Sequence, residues 1–536
     1  MDRKFIFVTG GVLSSLGKGI FASSIAKILK SKHGLQASLM KIDPYLNTDA
    51  GTLNPFEHGE VFVTRDGFEC DLDLGNYERY LNEYAVRDQN LMMGTVYQAV
   101  LDKERKGDYL GKTVQSVPHV TDEIKRRIKE TAKKTNSEVL VVEIGGTVGD
   151  IESEIVLEAI RQMKFETNTQ AFYIHLGLMP AIITGEEKTK PLQHSIKALM
   201  SRGITPDLVV ARSTKMISKN AREKIAQQSS VRIEDVFCSP NAATIYKVPV
   251  ILDEQKISER ILEKLQIKSK PSKEFDEWKK LVDKLENLKD EVKIAVVGKY
   301  AGSKDAYMSL FEALTHAGLE NNVKVTADLL DAQELEKELS QVLTNYDGVV
   351  VPGGFGGRAL EGKINAVKYC REQKVPILGI CYGFQMQVIE TARNILGWTD
   401  AHTTECNPDT TKPVIHILPD KKDVINLGGT LRLGVKKTKL TKGSNAAKIY
   451  AASEIEKRFR HRYEMNPDYV KDLEKAGITF SGCDEQGRLM KVLERNDHPF
   501  FFGVQYHPEF DSRLEHAEES FAALVKAAKT NKQKTK

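Results

Sequence analysis

The sequence predicts an α/β protein of two domains, and three observations predict it. Short apolar runs alternate with stretches of helical period from the first residues onward. A charged amphipathic stretch at about 266–292 interrupts the alternation, which then starts again. The length, 536 residues, is too great for one hydrophobic core.

In the first half, FIFVTGG reads as a strand entering a glycine turn, and IFASSIAKILKSKH follows with Ile20, Ile25, Ile28 and Leu29 at helical spacing. VLVVEIGG (139–146), QAFYIHLG (170–177) and PDLVVAR (206–212) are further strands bounded by turn residues, which implies βαβ units and a parallel sheet. After Pro271 and Ser272, a helix start, Phe275, Trp278, Leu281, Val282, Leu285 and Leu288 fall on one face of a charged helix. VKIAVVGKY (292–300), YDGVVVPGG (346–354), VPILGICYG (375–383) and PFFFGVQYHPE (499–509) are the strands of the second series. The expected division is therefore a domain over 1–266, a helical linker over 267–291, a second domain over 292–525 and a basic, frayed tail over 526–536. There are no internal repeats.

Hydrophobic residues make up 41% and charged residues 28%, the balance of a soluble globular chain. Lys+Arg 78 against Asp+Glu 74 leaves a net charge of +4, so no overall basic field points to nucleic acid. The apolar stretch at the N-terminus is too short for an export signal, and no segment reaches the roughly 20 apolar residues that span a bilayer. Six scattered cysteines, with no CxxC pair, read as thiols of a reduced, cytoplasmic protein. Five of them (Cys70, Cys238, Cys370, Cys406, Cys483) read as small buried hydrophobes, and Cys381 is the exception.

TGGVLSSLGKGI (9–20) lies between a strand and a helix, where a phosphate loop belongs. Its glycines turn backbone N–H groups toward an anion, the helix N-terminus adds partial positive charge, and Lys18 reaches the terminal phosphates. It departs from GxxxxGK[ST] at Val12 and Gly19, while Ser14 and Ser15 supply hydroxyls nearby. The plainer reading is a glycine turn. Asp71 in ECDLDLGNYER and Glu143 at the end of VLVVE are candidates for Mg²⁺, which needs one or two carboxylates beside phosphates and water. Asp73 and Asp150 read as readily as turn or capping residues. Lys41, Lys188, Lys190 and Lys224 could serve a second polyphosphate, although a single lysine is more often a solvated charge.

GICYG (379–383) follows an apolar strand and precedes a helical run, the arrangement of a nucleophile elbow with cysteine in place of serine. Gly379 and Gly383 allow the sharp turn that projects Cys381, and the helix N-terminus favours its thiolate. In HPE (507–509), His507 is the base and Glu509 its orienting partner. VVVPGGFGG (349–357) supplies backbone N–H groups suited to an oxyanion hole.

The order PGG, GxCxG, HPE resembles the class I glutamine amidotransferases, in which the cysteine attacks the glutamine side-chain amide and releases ammonia. GGVLSSLGKG, KIDPYLNTDAGTLNPFEHGEVFVTRDG, DLDLGNYERY, EIGGTVGDIES and KTKPLQHS together resemble the CTP synthase family over nearly the whole chain. That resemblance implies a P-loop-like parallel-sheet synthetase domain followed by a class I glutamine amidotransferase domain. It implies amination of UTP to CTP with ATP, glutamine and Mg²⁺ through a 4-phosphorylated UTP. By the same resemblance, Ser15, Leu16, Gly17, Lys18, Gly19, Ile20 and Asp71 serve ATP, and Asp71 and Glu143 hold the metal. Ser14, Lys41, Asp150, Ile151, Glu152, Lys188, Thr189, Lys190, Pro191, Leu192, Gln193 and Lys224 serve UTP or the inhibitor CTP. Gly354, Tyr382, Gly383, Phe384, Gln385, Glu405 and Arg462 surround glutamine. GTP activation near the glutamine cleft, with Arg358 as a candidate, a homotetramer, and a closed ammonia passage with Pro55, His58 and Val61 at its synthetase end are also implied. Phe56 stands where some members carry tyrosine.

Two other readings remain open at this point. One is an ATP-dependent amidotransferase acting on a carboxylate of a cofactor precursor, against which KTKPLQHS and DPYLNTDAG speak; an adenylating GMP-type synthetase lacks its SGGxDS here. The other is a non-catalytic nucleotide- or glutamine-sensing protein, which would be expected to have lost some of Lys18, Asp71, Glu143, Cys381, His507 and Glu509.

Overall fold

The computed structural model describes residues 3–11, 13–166, 169–180, 186–300, 302–334, 341–417 and 431–535. The chain forms two compact units, the first of residues 1–49 and 76–286, the second of residues 50–75 and 287–536.

The strands run in chain order as β1 (Lys4–Gly11), β2 (Ala37–Asp43), the short β3 (Phe62–Val63) and β4 (Glu69–Cys70), β5 (Asn90–Met92), β6 (Val139–Ile144), β7 (Gln170–Leu178), β8 (Leu208–Arg212) and β9 (Val236–Ser239). All but β3 and β4 build the first unit's sheet, in the order β5-β2-β6-β1-β7-β8-β9, and every pairing in it is parallel. Helices cover both faces, so the central strands are buried throughout and read as continuous apolar runs. The Lys18–Ser31 helix follows β1 at once and buries Phe21, Ala22, Ile25, Ile28 and Leu29, while Ile20 is only half-buried.

The expected linker is a core element of this unit. In the Glu274–Glu286 helix, Phe275, Trp278 and Val282 are buried; Trp278 is 1% exposed and its Nε1–H donates to the Tyr246 carbonyl at 2.9 Å. The Lys27 ammonium stands 4.1 Å from the Trp278 ring centroid. An apolar stripe needs a surface to cover, and here that surface is the unit's own flank. Trp278→Ala should therefore cost about 3–5 kcal/mol. A lower melting temperature would check this.

The second unit has a nine-stranded mixed sheet among the described residues. Its parallel part is β11 (Lys324–Asp331), β10 (Glu291–Gly298), β12 (Gly348–Val351), β13 (Ile377–Ile380) and the Phe501–Val504 strand. Strands Met490–Glu494, Thr479–Cys483, Arg432–Leu440 and Glu454–His461 continue it antiparallel. The expected boundary at 266 misses residues 50–75, which belong here. In that segment the β3–β4 hairpin lies against the Glu454–His461 strand, where the Arg458 guanidinium donates to the Val63 carbonyl at 2.9 Å and the Arg460 Nε to Glu69 at 2.8 Å. The Phe62 and Phe510 rings meet edge-on at 4.8 Å.

The expected frayed tail is instead the end of the Glu519–Thr535 helix, with Lys536 outside the described residues. Phe521, Leu524, Val525 and Ala528 bury one face, Asn531 donates to the Asp347 carbonyl at 3.3 Å, and Lys532 to the Glu291 carbonyl at 2.6 Å. All six cysteines are free thiols, but Cys406 and Cys483 are half-buried rather than core residues.

Candidate functional site

Parallel sheets gather ligands at the carboxyl ends of their strands. In the first unit those ends bring together Gly10 and Gly11 of β1, Lys41 and Asp43 of β2, and Glu143 of β6. Gly17, at φ 81, ends the loop, and the helix N-terminus that follows has no side-chain cap, an arrangement suited to an anion. Lys18 is 8% exposed; its stem lies over Gly10, where a Cβ would come within 2.6 Å, and its amine donates to the Gly146 carbonyl at 2.7 Å. Ser14 and Ser15 are exposed, Ser15 at φ 57, while Leu16 and Gly19 are buried. Val12 lies outside the described residues.

Glu143 is 2% exposed, accepts from the Tyr77 hydroxyl at 2.7 Å and lies 3.4 Å from the Lys41 amine. Among the described residues no group of three or more His, Cys, Asp or Glu could hold a metal ion by itself. A hard carboxylate oxygen such as that of Glu143 nevertheless fits Mg²⁺, which draws most of its ligands from phosphates and water where a nucleotide is bound. Asp71, in the second unit, caps the following turn by accepting from the Asp73 N–H at 3.0 Å.

The turn after β6 adjoins the loop, for Val148 N–H donates to the Gly10 carbonyl at 2.8 Å. Asp150 accepts from the Thr147 N–H at 2.9 Å, a turn role, and is exposed with Glu152, while Ile151 is 86% exposed. Thr189 precedes the Lys190–Met200 helix without a side-chain cap bond to it and accepts from the Gln193 side-chain amide at 3.1 Å; Pro191 opens that helix and Leu192 is in the core. Lys188 pairs with Glu186 at 2.7 Å, and Lys190 and Lys224 are exposed. Sequence reasoning missed a cavity of about 280 Å³ beside the loop, lined by Gly17, Ile20, Phe21, Arg212, Asn241 and Val248 among others. Its far wall is the turn after β9, which carries no motif.

In the second unit, Cys381 ends β13 at φ 52, ψ −98, a strained backbone held by the close packing around it. A Cβ on Gly383 would stand 2.0 Å from the Val351 carbonyl oxygen and one on Gly379 2.5 Å from Gln387, so the turn requires glycine at both. His507 Nδ1–H donates to Glu509 at 2.7 Å, which aligns the ring. Its Cε1–Nε2 edge and the Cys381 Cβ both border Gly353, at 2.9 and 3.7 Å from where a Cβ would sit.

Burial opposes a charge on His507, but the Glu509 carboxylate and the Cys381 sulfur outweigh it, and the imidazole is pushed up to about 10 from 6.5. A raised value means that this stabilisation is complete below pH 6.5 and is lost as pH rises through about 10. Glu509→Gln should thus lower the melting temperature most below pH 6.5 and least above pH 10. Melting curves at both ends of that window test it.

Around the thiol, Glu405 accepts from the Gly356 N–H at 2.8 Å, and burial raises its carboxyl above the ordinary value. The Tyr382 hydroxyl donates to the Gly356 carbonyl at 2.9 Å, and Phe384 is buried in the core. Gln385 is also buried and donates to the Tyr463 carbonyl at 2.9 Å. Gly354 lies beside Lys363, and Arg462 interacts with Glu405. Gln505, which sequence reasoning missed, donates to the Cys381 sulfur at 3.6 Å; its place two residues before His507 was the available signal. A cavity of about 90 Å³ joins Cys381, His507 and Gly353 to Pro55 and Val61, whereas His58 does not line it. Arg358 donates to the Lys299 carbonyl at 2.9 Å and stands 6.0 Å from the Phe56 ring.

The family comparisons divide the chain in sequence near residue 267, with residues 50–75 inside the first match. Residues 4–267 match the CTP synthase N-terminus family and residues 303–527 the class-I glutamine amidotransferase family. A CTP synthase of Archaeoglobus fulgidus is 47% identical over 98% of this chain and 98% of its own length. One of Listeria innocua is 46% identical over 99% of this chain and 100% of its own. The solved glutaminase domain of Trypanosoma brucei CTPS, with bound acivicin, is 34% identical with a TM-score of 0.43, covering 45% of this chain and 94% of that domain. With identity at this level along nearly its full length, the chain belongs to the CTP synthase family, the glutamine-hydrolysing ligases of pyrimidine nucleotide biosynthesis.

Proposed function

We propose that the chain converts UTP to CTP in two linked reactions, activation of UTP by ATP in the synthetase domain and release of ammonia from glutamine in the amidotransferase domain. The observation that carries the second reaction is the strained Cys381 turn beside the bonded His507–Glu509 pair. The Cys381 thiolate attacks the side-chain carbonyl carbon of glutamine, and His507 gives its proton to the departing nitrogen. Ammonia leaves and a thioester remains. Water, deprotonated by His507, then releases glutamate and returns the thiolate. Gly354, Tyr382 to Gln385, Glu405 and Arg462 would hold glutamine, and the Gly353 and Gly354 N–H groups would receive the oxyanion.

In the synthetase domain, Ser15 to Ile20 would cradle the ATP phosphates with Lys18, and the 280 Å³ cavity beside Gly17 is of a size and position to take the base. Ser14, Lys41, Asp150 to Glu152, Lys188 to Gln193 and Lys224 would bind UTP, and CTP as inhibitor. Asp71 and Glu143 would hold Mg²⁺, which when bound offsets charge on the transferring phosphoryl group. The γ-phosphoryl of ATP passes to O4 of UTP, ammonia adds at C4, and phosphate leaves with O4. Lys18 and Lys41 would stabilise the charge that develops on the way. The cavity from Cys381 to Pro55 and Val61 is large enough for ammonia, whose nucleophilicity would be lost on protonation in open water.

The exposure of Asp150, Ile151, Glu152 and Lys224 in a single chain supports completion of the pyrimidine site by another copy in a homotetramer. GTP would activate from beside Arg358. No described helix is long and apolar enough to cross a membrane, which suits soluble nucleotide substrates and a cytoplasmic enzyme. Incubation with UTP, ATP, Mg²⁺ and GTP, with glutamine or ammonium, followed by nucleotide separation, tests the proposal. CTP from both nitrogen sources supports it; glutamate release with UTP untouched under both conditions overturns the acceptor.

A further inference from the structure

Behind the Pro352–Phe355 loop lies a lysine that no step above uses. Lys363, in the Leu360–Gln373 helix, is 1% exposed, and its amine donates to the Pro352 carbonyl at 3.1 Å. It stands 3.4 Å from where a Cβ on Gly354 would be and 5.2 Å from the Tyr382 ring centroid. Among the described residues no carboxylate pairs with it, and the Cys381 sulfur is the neighbour that favours its charged form. The helix reaches this depth because Gly362 has no side chain: a Cβ there would lie 1.5 Å from the Ala332 carbonyl oxygen. At the other end of the loop, the Lys299 amine donates to the Phe355 carbonyl at 2.9 Å. Two amines thus pin the carbonyls that flank Gly353 and Gly354.

Pinning a carbonyl aims an N–H. The only cis peptide among the described residues is Val117–Pro118, so the Pro352–Gly353 peptide is trans, with C=O and N–H pointing in opposite directions. With its carbonyl held toward Lys363, that peptide points the Gly353 N–H away from Lys363, and Cys381 and His507 are the catalytic groups that border Gly353.

We infer that Lys363 is a positioning residue for glutamine hydrolysis, holding the Pro352–Gly353 peptide so that the Gly353 N–H is aimed at the oxyanion formed at Cys381. The inference rests on the glutaminase reading. Burial, with repulsion from Lys299, pulls the Lys363 amine down to about 7 against the opposing influence of the Cys381 sulfur, so it donates in the interior without carrying a full charge there. Removing an oxyanion donor outright costs about 10²–10³ in kcat; here the donor stays and loses its aim, so the expected loss is about 10- to 100-fold.

The test is steady-state glutamine hydrolysis by the full-length protein carrying Lys363→Met or Lys363→Gln. The expected result for Lys363→Met is a kcat lower by about 10- to 100-fold with KM for glutamine within about twofold and ammonium-dependent CTP formation unchanged. Lys363→Gln, which keeps an N–H donor on a chain one atom shorter, should recover part of the lost kcat. An unchanged kcat, a loss that appears in KM instead, or a parallel loss of the ammonium reaction would overturn the inference. If Lys363→Met does not fold, Lys363→Gln decides the matter: a lowered kcat with KM for glutamine and the ammonium reaction unchanged supports the inference, and an unchanged kcat or a KM defect overturns it. If the unaltered protein releases no glutamate from glutamine, the glutaminase reading itself falls.

Discussion

Cys381→Ala should abolish glutamine-dependent CTP formation, by at least about 10⁴-fold, and leave the ammonium-dependent reaction within about twofold. The loss is large because the thiolate supplies a covalent route that nothing else bordering the 90 Å³ cavity can replace. That cavity's other polar side chains belong to Glu60, Tyr300, Tyr307, Arg460, His507 and Glu509, none of which is placed as an activated nucleophile. The ammonium reaction survives because the substitution removes one atom at the end of β13 and leaves the turn's glycines and the Gly383–Val351 contact as they are. CTP formation with each nitrogen source, on the same preparation, checks both halves. A variant that still used glutamine would remove Cys381 from the mechanism, and one that lost both reactions would mean that the elbow supports more than its own site.

Lys18→Met has the opposite signature. CTP formation should fall about 10²–10³-fold with either nitrogen source, while glutamine hydrolysis measured without nucleotides is unchanged. Lys18 combines a charge with a fixed path: its stem covers Gly10, and its amine reaches the Gly146 carbonyl at 2.7 Å, among the ends of β1 and β6. Methionine keeps the stem and removes the charge, which separates packing from phosphate binding. A proportionate rise in KM for ATP with kcat intact would assign Lys18 to ground-state binding only. No change in either constant would move the phosphate site elsewhere.

Much of this molecule was legible from local patterns. The strand-glycine-helix sequence around Lys18 and the strand-cysteine-helix sequence around Cys381 both fold as their periodicities predict, because β and helical periods and glycine turns are short-range properties. The His507–Glu509 bond was equally accessible, since the two residues are neighbours in one turn. Residues with no local signal were missed: Gln505 reaches the Cys381 sulfur, and Lys363 reaches Pro352, only because distant strands and a helix converge. The Glu274–Glu286 helix was read as a linker joining two domains, and the terminal basic stretch as frayed, because charge dominates their composition. In each, a few apolar positions find a surface to cover.

Residues 50–75 mark the limit most clearly. Their sequence announces a family and places Pro55, Val61 and Asp71 in one run, yet nothing in it says that the run packs with residues 287–536. The hairpin Phe62–Cys70 is held by the Arg458 and Arg460 guanidinium groups, nearly four hundred residues away in sequence. Secondary structure and the identity of the reacting groups follow from residue type and spacing, since backbone geometry and side-chain chemistry are local. Which segments share a core, which group holds the Pro352 carbonyl and what lies behind the thiol depend on long-range packing, and that was decided only when the chain closed on itself.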